Sequence, residues 1–215
     1  MAHDLQAGLE AILRKVPVIP VLVIDNLGDA VPLARALSGG GLTVLEITLR
    51  TDAAAECIRA IRAEVADVIV GSGTVLDARQ LDLSEELGCA FAVAPGATPS
   101  LIAAARDHAI ALLPASATTS EAMLLLEQGY CFQKFFPAEP SGGAAYLSSL
   151  ASPLPQVKFC PTGGLTQDNA PSYLKLANVA TVGGSWMAPR KLIGDHSWAA
   201  ITNLAQAAAS LKAAA

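Results

Sequence analysis

The chain has 215 residues, 53% of them hydrophobic and 15% charged, which is enough apolar material to bury a large core within one α/β domain. A net charge of −5, lysines and arginines scattered singly, and only 5% aromatics exclude the basic footprint that a nucleic-acid partner requires. Charges interrupt the opening stretch MAHDLQAGLEAILRK, excluding a signal-peptide core or a membrane span there, and Cys57, Cys89, Cys131 and Cys160 lie too far apart for a zinc or disulfide framework. The expectation is a cytoplasmic protein without metal or cofactor.

In chain order, a short helix at 5–14 is followed by short apolar runs that alternate with amphipathic segments. The expected strands are 16–24, 43–48, 68–71, 91–94, 111–113, 131–135, 157–160 and 179–182. Their starts lie 20 to 27 residues apart, the length that a strand, a helix and two short loops need. Between them, Cys57, Ile58, Ile61 and Val65 share one helical face against Glu56, Arg59, Arg62 and Glu64, and helices are also expected at 101–108, 120–128 and about 197–212, where the Ala-rich tail closes the chain. Near-continuous apolar strands indicate a parallel sheet covered on both faces. Eight such units predict a single (β/α)8 barrel spanning 1–215. An open doubly wound sheet uses the same grammar, but the first strand-to-helix turn, Asp25-Asn26-Leu27-Gly28, carries no dinucleotide fingerprint.

Active residues of such barrels gather at the C-terminal strand ends. There the sequence has Glu46 and Arg50 after the second strand, Thr74 after the third, Pro95 after the fourth and Lys134 in the sixth. Lys134 lies in FQKFFP, where burying an ammonium costs several kcal/mol and the neutral, nucleophilic amine is favoured; Phe135 and Phe136 are the expected apolar neighbours. A period of two points Glu46, Thr48 and Arg50 to one side, a base for proton transfer and a cation for a 2-oxo-acid carboxylate. A lysine that snorkels to the rim, or a structural ion pair with Glu46, would look the same at this level. After the last two strands, Gly163, Gly164, Gly184 and Ser185 offer a phosphate cradle of backbone N–H groups, although tight turns use the same residues.

The motifs VLEITLRT, GSGTVL, APG, FQKFFPAE, FCPTGG and GGSW, in this order between Val16 and Trp198, resemble the 2-keto-3-deoxy-6-phosphogluconate (KDPG) aldolases. The resemblance implies a homotrimeric barrel that needs no metal and cleaves its phosphorylated 2-oxo sugar acid to pyruvate and glyceraldehyde 3-phosphate, with activity on 4-hydroxy-2-oxoglutarate beside it. It implies Lys134 as the Schiff-base residue, Glu46 as proton acceptor and donor, and Arg50 and Thr74 as pyruvate-binding groups. Phe136 would line the methyl pocket, Thr162 would choose the configuration of the new carbon, and Gly163, Gly164, Gly184 and Ser185 would hold phosphate. An aldolase for the galactonate epimer, a phosphate-metabolite isomerase and a non-catalytic phosphosugar sensor are the rival readings.

Overall fold

The computed structural model describes residues 2–211, with side chains from residue 5. Helix α1 (Ala2–Leu13) precedes strand β1 (Val18–Leu22), after which helices and parallel strands alternate. The order is α2 (Leu27–Gly39), β2 (Val44–Thr48), α3 (Ala54–Glu64), β3 (Ile69–Gly73), α4 (Ala78–Glu86), β4 (Phe91–Val93), α5 (Pro99–Ala105), β5 (Ala111–Leu113) and β6 (Ala115–Ser116). Then come α6 (Thr119–Glu127), β7 (Phe132–Phe135), α7 (Gly143–Leu150), β8 (Lys158–Pro161), α8 (Ala170–Leu174), β9 (Val182–Gly184), α9 (Arg190–Gly194) and α10 (Trp198–Ala209). The expected closing helix at 197–212 ends three residues early, and the tail beyond residue 211 lies outside the described residues.

One parallel sheet runs in the order β5-β4-β3-β2-β1-β9 and a second in the order β6-β7-β8. Every residue of β2 is buried, as a sheet with both faces covered demands. The expected fifth strand at 111–113 is found as β5; Pro114, with no N–H to give to the ladder, separates it from the short β6, and its carbonyl accepts from Lys134 N–H at 2.9 Å, tying β7 to this point. The expected last strand at 179–182 is shifted towards the C-terminus: Val179 makes only an isolated parallel bridge to Phe159, and β9 itself ends in two glycines that strand propensity disfavours. A second bridge joins Thr162 to Gly183.

Helices cover the outer faces, with α2 against both α3 and α10. The predicted apolar face of α3, Cys57, Ile58 and Ile61 with Val65 just beyond, is buried. Helix starts follow local chemistry. Thr118 accepts from Glu121 N–H while the Glu121 carboxylate accepts from Thr118 N–H, a capping box that starts α6, and Thr98 before Pro99 caps α5 by accepting from Leu101 N–H alone. Glycines admit the largest side chains: a Cβ at Gly71 would fall inside the ring of fully buried Phe91. No helix among the described residues is long and apolar enough to cross a membrane.

Candidate active site

Strands β2 and β7 each contribute one charged side chain to the interior. Lys134 and Glu46 are 3% and 4% exposed, and Lys134 Nζ stands 3.4 Å from Glu46 Oε1. Neither group reaches the rim, so the snorkelling alternative for Lys134 does not hold. At 3.4 Å the contact is long for a charge-assisted hydrogen bond, leaving both groups within reach of a small molecule lodged between them. Gly73 makes the room: a Cβ there would meet Glu46 Cγ at 2.7 Å and Cδ at 2.9 Å. On the other side of the amine lies the Phe136 ring, its centroid 5.2 Å from Nζ. Phe135 does not share that role. Strand alternation turns it outward, where it is buried against Tyr146 (centroids 5.7 Å apart) and Phe159 (6.3 Å).

On the strand ladder Lys134 pairs with Cys160 of β8, a buried thiol that desolvation pushes up to about 12. It is therefore a thiol, not a thiolate, beside the amine.

Arg50 corrects the alternation argument. Strand β2 ends at Thr48, whose hydroxyl is buried and donates to Leu22 O at 2.8 Å, so neither Thr48 nor strand geometry aims Arg50. Its direction comes from Thr74, whose Oγ1 accepts from Arg50 Nε at 2.8 Å. Thr74 has φ +61°, a left-handed conformation that a β-branched residue adopts only at a cost of about 1–3 kcal/mol. The strain turns the hydroxyl towards the guanidinium directly after the glycine that accommodates Glu46. Pro95 lies with Phe136 on the wall of a cavity of about 360 Å³ between α5 and α6, which also involves Ile102, Leu124 and Leu125; Lys134 and Glu46 are not on that wall.

The glycine turns of β8 and β9 face each other across the Thr162–Gly183 bridge, and a Cβ at Gly183 would collide with Thr162 Oγ1. Thr162 is buried, and its N–H donates to Phe135 O at 2.9 Å. Gly163 and Gly164 have φ of +102° and +81°, so here glycine is required by the backbone. Gly163 lies against Phe136, to whose ring a Cβ would approach to 3.3 Å. Gly184 lies under the Trp186 ring, whose Nε1 donates to Gln167 Oε1 at 2.9 Å, and Ser185 is exposed. The amides of Gly164 and Ser185 donate to no protein acceptor among the described residues.

A continuous chain of neighbours thus runs from Arg50 through Thr74, Gly73, Glu46, Lys134 and Phe136 to Gly163. Sequence reasoning missed Gly73, although it lies in GSGTVL; a glycine on the strand beside a buried acid was the available signal. It also missed Glu139, at the end of FQKFFPAE, whose carboxylate accepts the Tyr173 hydroxyl. Among the described residues no three His, Cys, Asp or Glu side chains stand close enough to hold a metal.

The family described as KDPG and KHG aldolase matches residues 9–204. A KHG/KDPG aldolase of Escherichia coli is 47% identical over 94% of this chain and 95% of its own. Among solved structures, a KDPG aldolase of Legionella pneumophila, with pyruvate captured at low pH as a covalent carbinolamine intermediate, superposes with a TM-score of 0.91 at 44% identity, covering 94% of this chain and 98% of its own. The 2-keto-3-deoxy-6-phosphogluconate aldolase of Zymomonas mobilis with 3-phosphoglycerate gives a TM-score of 0.91 at 48% identity, covering 96% and 97%.

Proposed function

The chain belongs to the KDPG and KHG aldolase family, and from that premise we propose that it cleaves 2-dehydro-3-deoxy-6-phospho-D-gluconate to pyruvate and D-glyceraldehyde 3-phosphate through a Schiff base on Lys134. The observation that carries this reading is the buried Lys134–Glu46 pair at 3.4 Å, roofed on one side by Phe136.

In this scheme the neutral Lys134 amine attacks the C2 carbonyl, and loss of water gives a protonated iminium. Glu46 takes the proton of the C4 hydroxyl as the C3–C4 bond breaks, and the bonding electrons move onto the iminium as an enamine. The aldehyde leaves, the enamine takes a proton at C3, and hydrolysis releases pyruvate and Lys134. Arg50 and Thr74 hold the carboxylate, Phe136 and Pro95 line the apolar side, and Thr162 senses the C4 configuration. Gly163, Gly164, Gly184 and Ser185 hold the phosphate through amides and a hydroxyl.

The links from Pro114 to β7 and from β8 to β9 support a closed single-domain (β/α)8 barrel, with β5 and β6 as one interrupted strand. Exposed Met123 and Leu124 on α6 support a homotrimer, and the intermediary substrate class supports a cytoplasmic location, with no nucleic-acid partner. The KHG part of the family description supports 4-hydroxy-2-oxoglutarate as a second substrate. The galactonate epimer is the rival stereochemistry, and Thr162 favours the gluconate.

Incubation with pyruvate and borohydride, followed by peptide mass mapping, tests the reading. A reduced pyruvate adduct on Lys134 is expected. A folded protein with no trapped lysine would leave an isomerase or a phosphosugar sensor as the better account, and turnover of both epimers separates the stereochemical alternatives.

A further inference from the structure

Three consecutive carbonyls at the exit of β8 are each tied to a donor. Thr162 O accepts from Ala138 N–H at 2.8 Å, Gly163 O from Glu139 N–H at 3.1 Å, and Gly164 O from Asn169 Nδ2 at 3.1 Å. In a trans peptide the carbonyl of one residue and the N–H of the next point in opposite directions. Fixing the Thr162 and Gly163 carbonyls against Ala138 and Glu139 therefore turns the Gly163 and Gly164 amides away from that segment. The Gly164 amide accordingly meets no protein acceptor among the described residues.

The Ala138–Glu139 segment is itself fastened. The Glu139 carboxylate accepts a hydrogen bond from the hydroxyl of Tyr173, a fully buried side chain of α8. Burial, and then the adjoining carboxylate, raise that hydroxyl well above its ordinary range, so it stays a donor. Glu139 also fits closely against the loop it holds: a Cβ at Gly164 would meet Glu139 Cβ at 2.7 Å and Cγ at 2.8 Å. The proposed aldolase chemistry uses neither Glu139 nor Tyr173.

We propose that Glu139 and Tyr173 are positioning residues: their contact holds the carbonyl side of the 162–164 turn so that its amides face substrate phosphate, and it sets the preference for phosphorylated over unphosphorylated 2-oxo acids. This rests on the reading of the glycine turns as the phosphate site. Because the clasp leaves β7 only after Lys134, loosening it should disturb phosphate binding and spare Schiff-base formation.

The test compares Tyr173→Phe, Glu139→Ala and Glu139→Gln in three measurements: KM and kcat with the phosphorylated substrate and with 4-hydroxy-2-oxoglutarate, affinity for inorganic phosphate by calorimetry, and the rate of pyruvate trapping on Lys134. Loss of one hydrogen bond predicts KM for the phosphorylated substrate and Kd for phosphate about tenfold higher in the Phe and Ala variants. Their kcat, their KM for the unphosphorylated acid and their trapping rate should stay at the parent level. Glu139→Gln, whose amide oxygen can still accept from Tyr173, should restore parent behaviour. Equal losses on both substrates, unchanged phosphate affinity, or a parent protein that does not bind phosphate would each overturn the proposal. Absence of trapping in the parent would sink the aldolase reading while the phosphate measurement still judges the clasp. Glu139 is exposed, so its variants keep the test decisive should Tyr173→Phe fail to fold.

Discussion

The strands that carry Lys134 and Glu46, β7 and β2, and the turns that follow β8 and β9 are built for a ligand in opposite ways under the proposed function. On the strands, two charged side chains are buried, and an absent neighbour, the missing Cβ of Gly73, gives Glu46 its space. In the turns the chain presents backbone, with positive φ at Gly163 and Gly164 and carbonyls held from outside, and the proposed function makes that backbone the phosphate-binding surface. The first arrangement concentrates reactivity in residue identity. The second distributes recognition over peptide orientation, so its determinants lie in residues that need never touch the ligand.

Replacement of Lys134 by Ala puts that contrast to its severest test: turnover and borohydride trapping should both fall below detection, and ordinary turnover in the variant would refute the covalent scheme. Glu46→Gln should lower kcat by about a hundredfold to ten-thousandfold while trapping of pyruvate persists, which single-turnover kinetics can separate. Gly73→Ala probes the same centre through packing alone. Pushing the carboxylate aside by roughly an ångström should cost about a hundredfold in kcat, and unchanged kcat would show that the glycine is incidental.

Thr74→Gly should sharpen the comparison at its boundary. Losing the hydroxyl should raise KM for pyruvate about tenfold, while release of the left-handed strain, offset by the greater freedom of glycine in the unfolded chain, should raise stability by at most about 1 kcal/mol. Denaturant titration would expose a variant that is weakened on both counts.

The smallest effect is expected at the other end of the strands, remote from the chemistry, where His108 Nδ1 donates to Ala104 O and Nε2 meets Asp82. The carbonyl contact first, and the carboxylate after it, raise the His108 pKa above its ordinary 6.5. Its stabilisation is then complete below the unfolded value and is lost as pH rises through the higher folded one. The Tm gap between the parent and His108→Gln should shrink as pH climbs above about 6.5, with kcat unaffected. A gap that widened with pH would reverse the assigned sign.

How much could be read in advance follows the same division. Lys134, Glu46 and the apolar strands around them were legible because a charge inside an apolar run is costly, and cost leaves a mark on composition. Arg50 was found for a reason that does not hold, since Thr74 and not strand alternation orients it. The paired roles given to Phe135 and Phe136 failed on the period of two itself. The break at Pro114 was visible as a residue, but its effect depends on which ladder position the missing N–H would have filled. Glu139, Tyr173 and Asn169 left no local mark: their contacts to the turn depend on long-range packing or on carbonyl direction.

Cys160 shares its rung with Lys134, yet burial keeps its sulfur protonated. Under the proposed scheme, an electrophilic carbonyl entering there finds the thiol in its poorly nucleophilic form. The same burial should make Cys160 slow towards alkylating reagents in the folded enzyme, so that a covalent inhibitor directed at this centre must be designed for an amine.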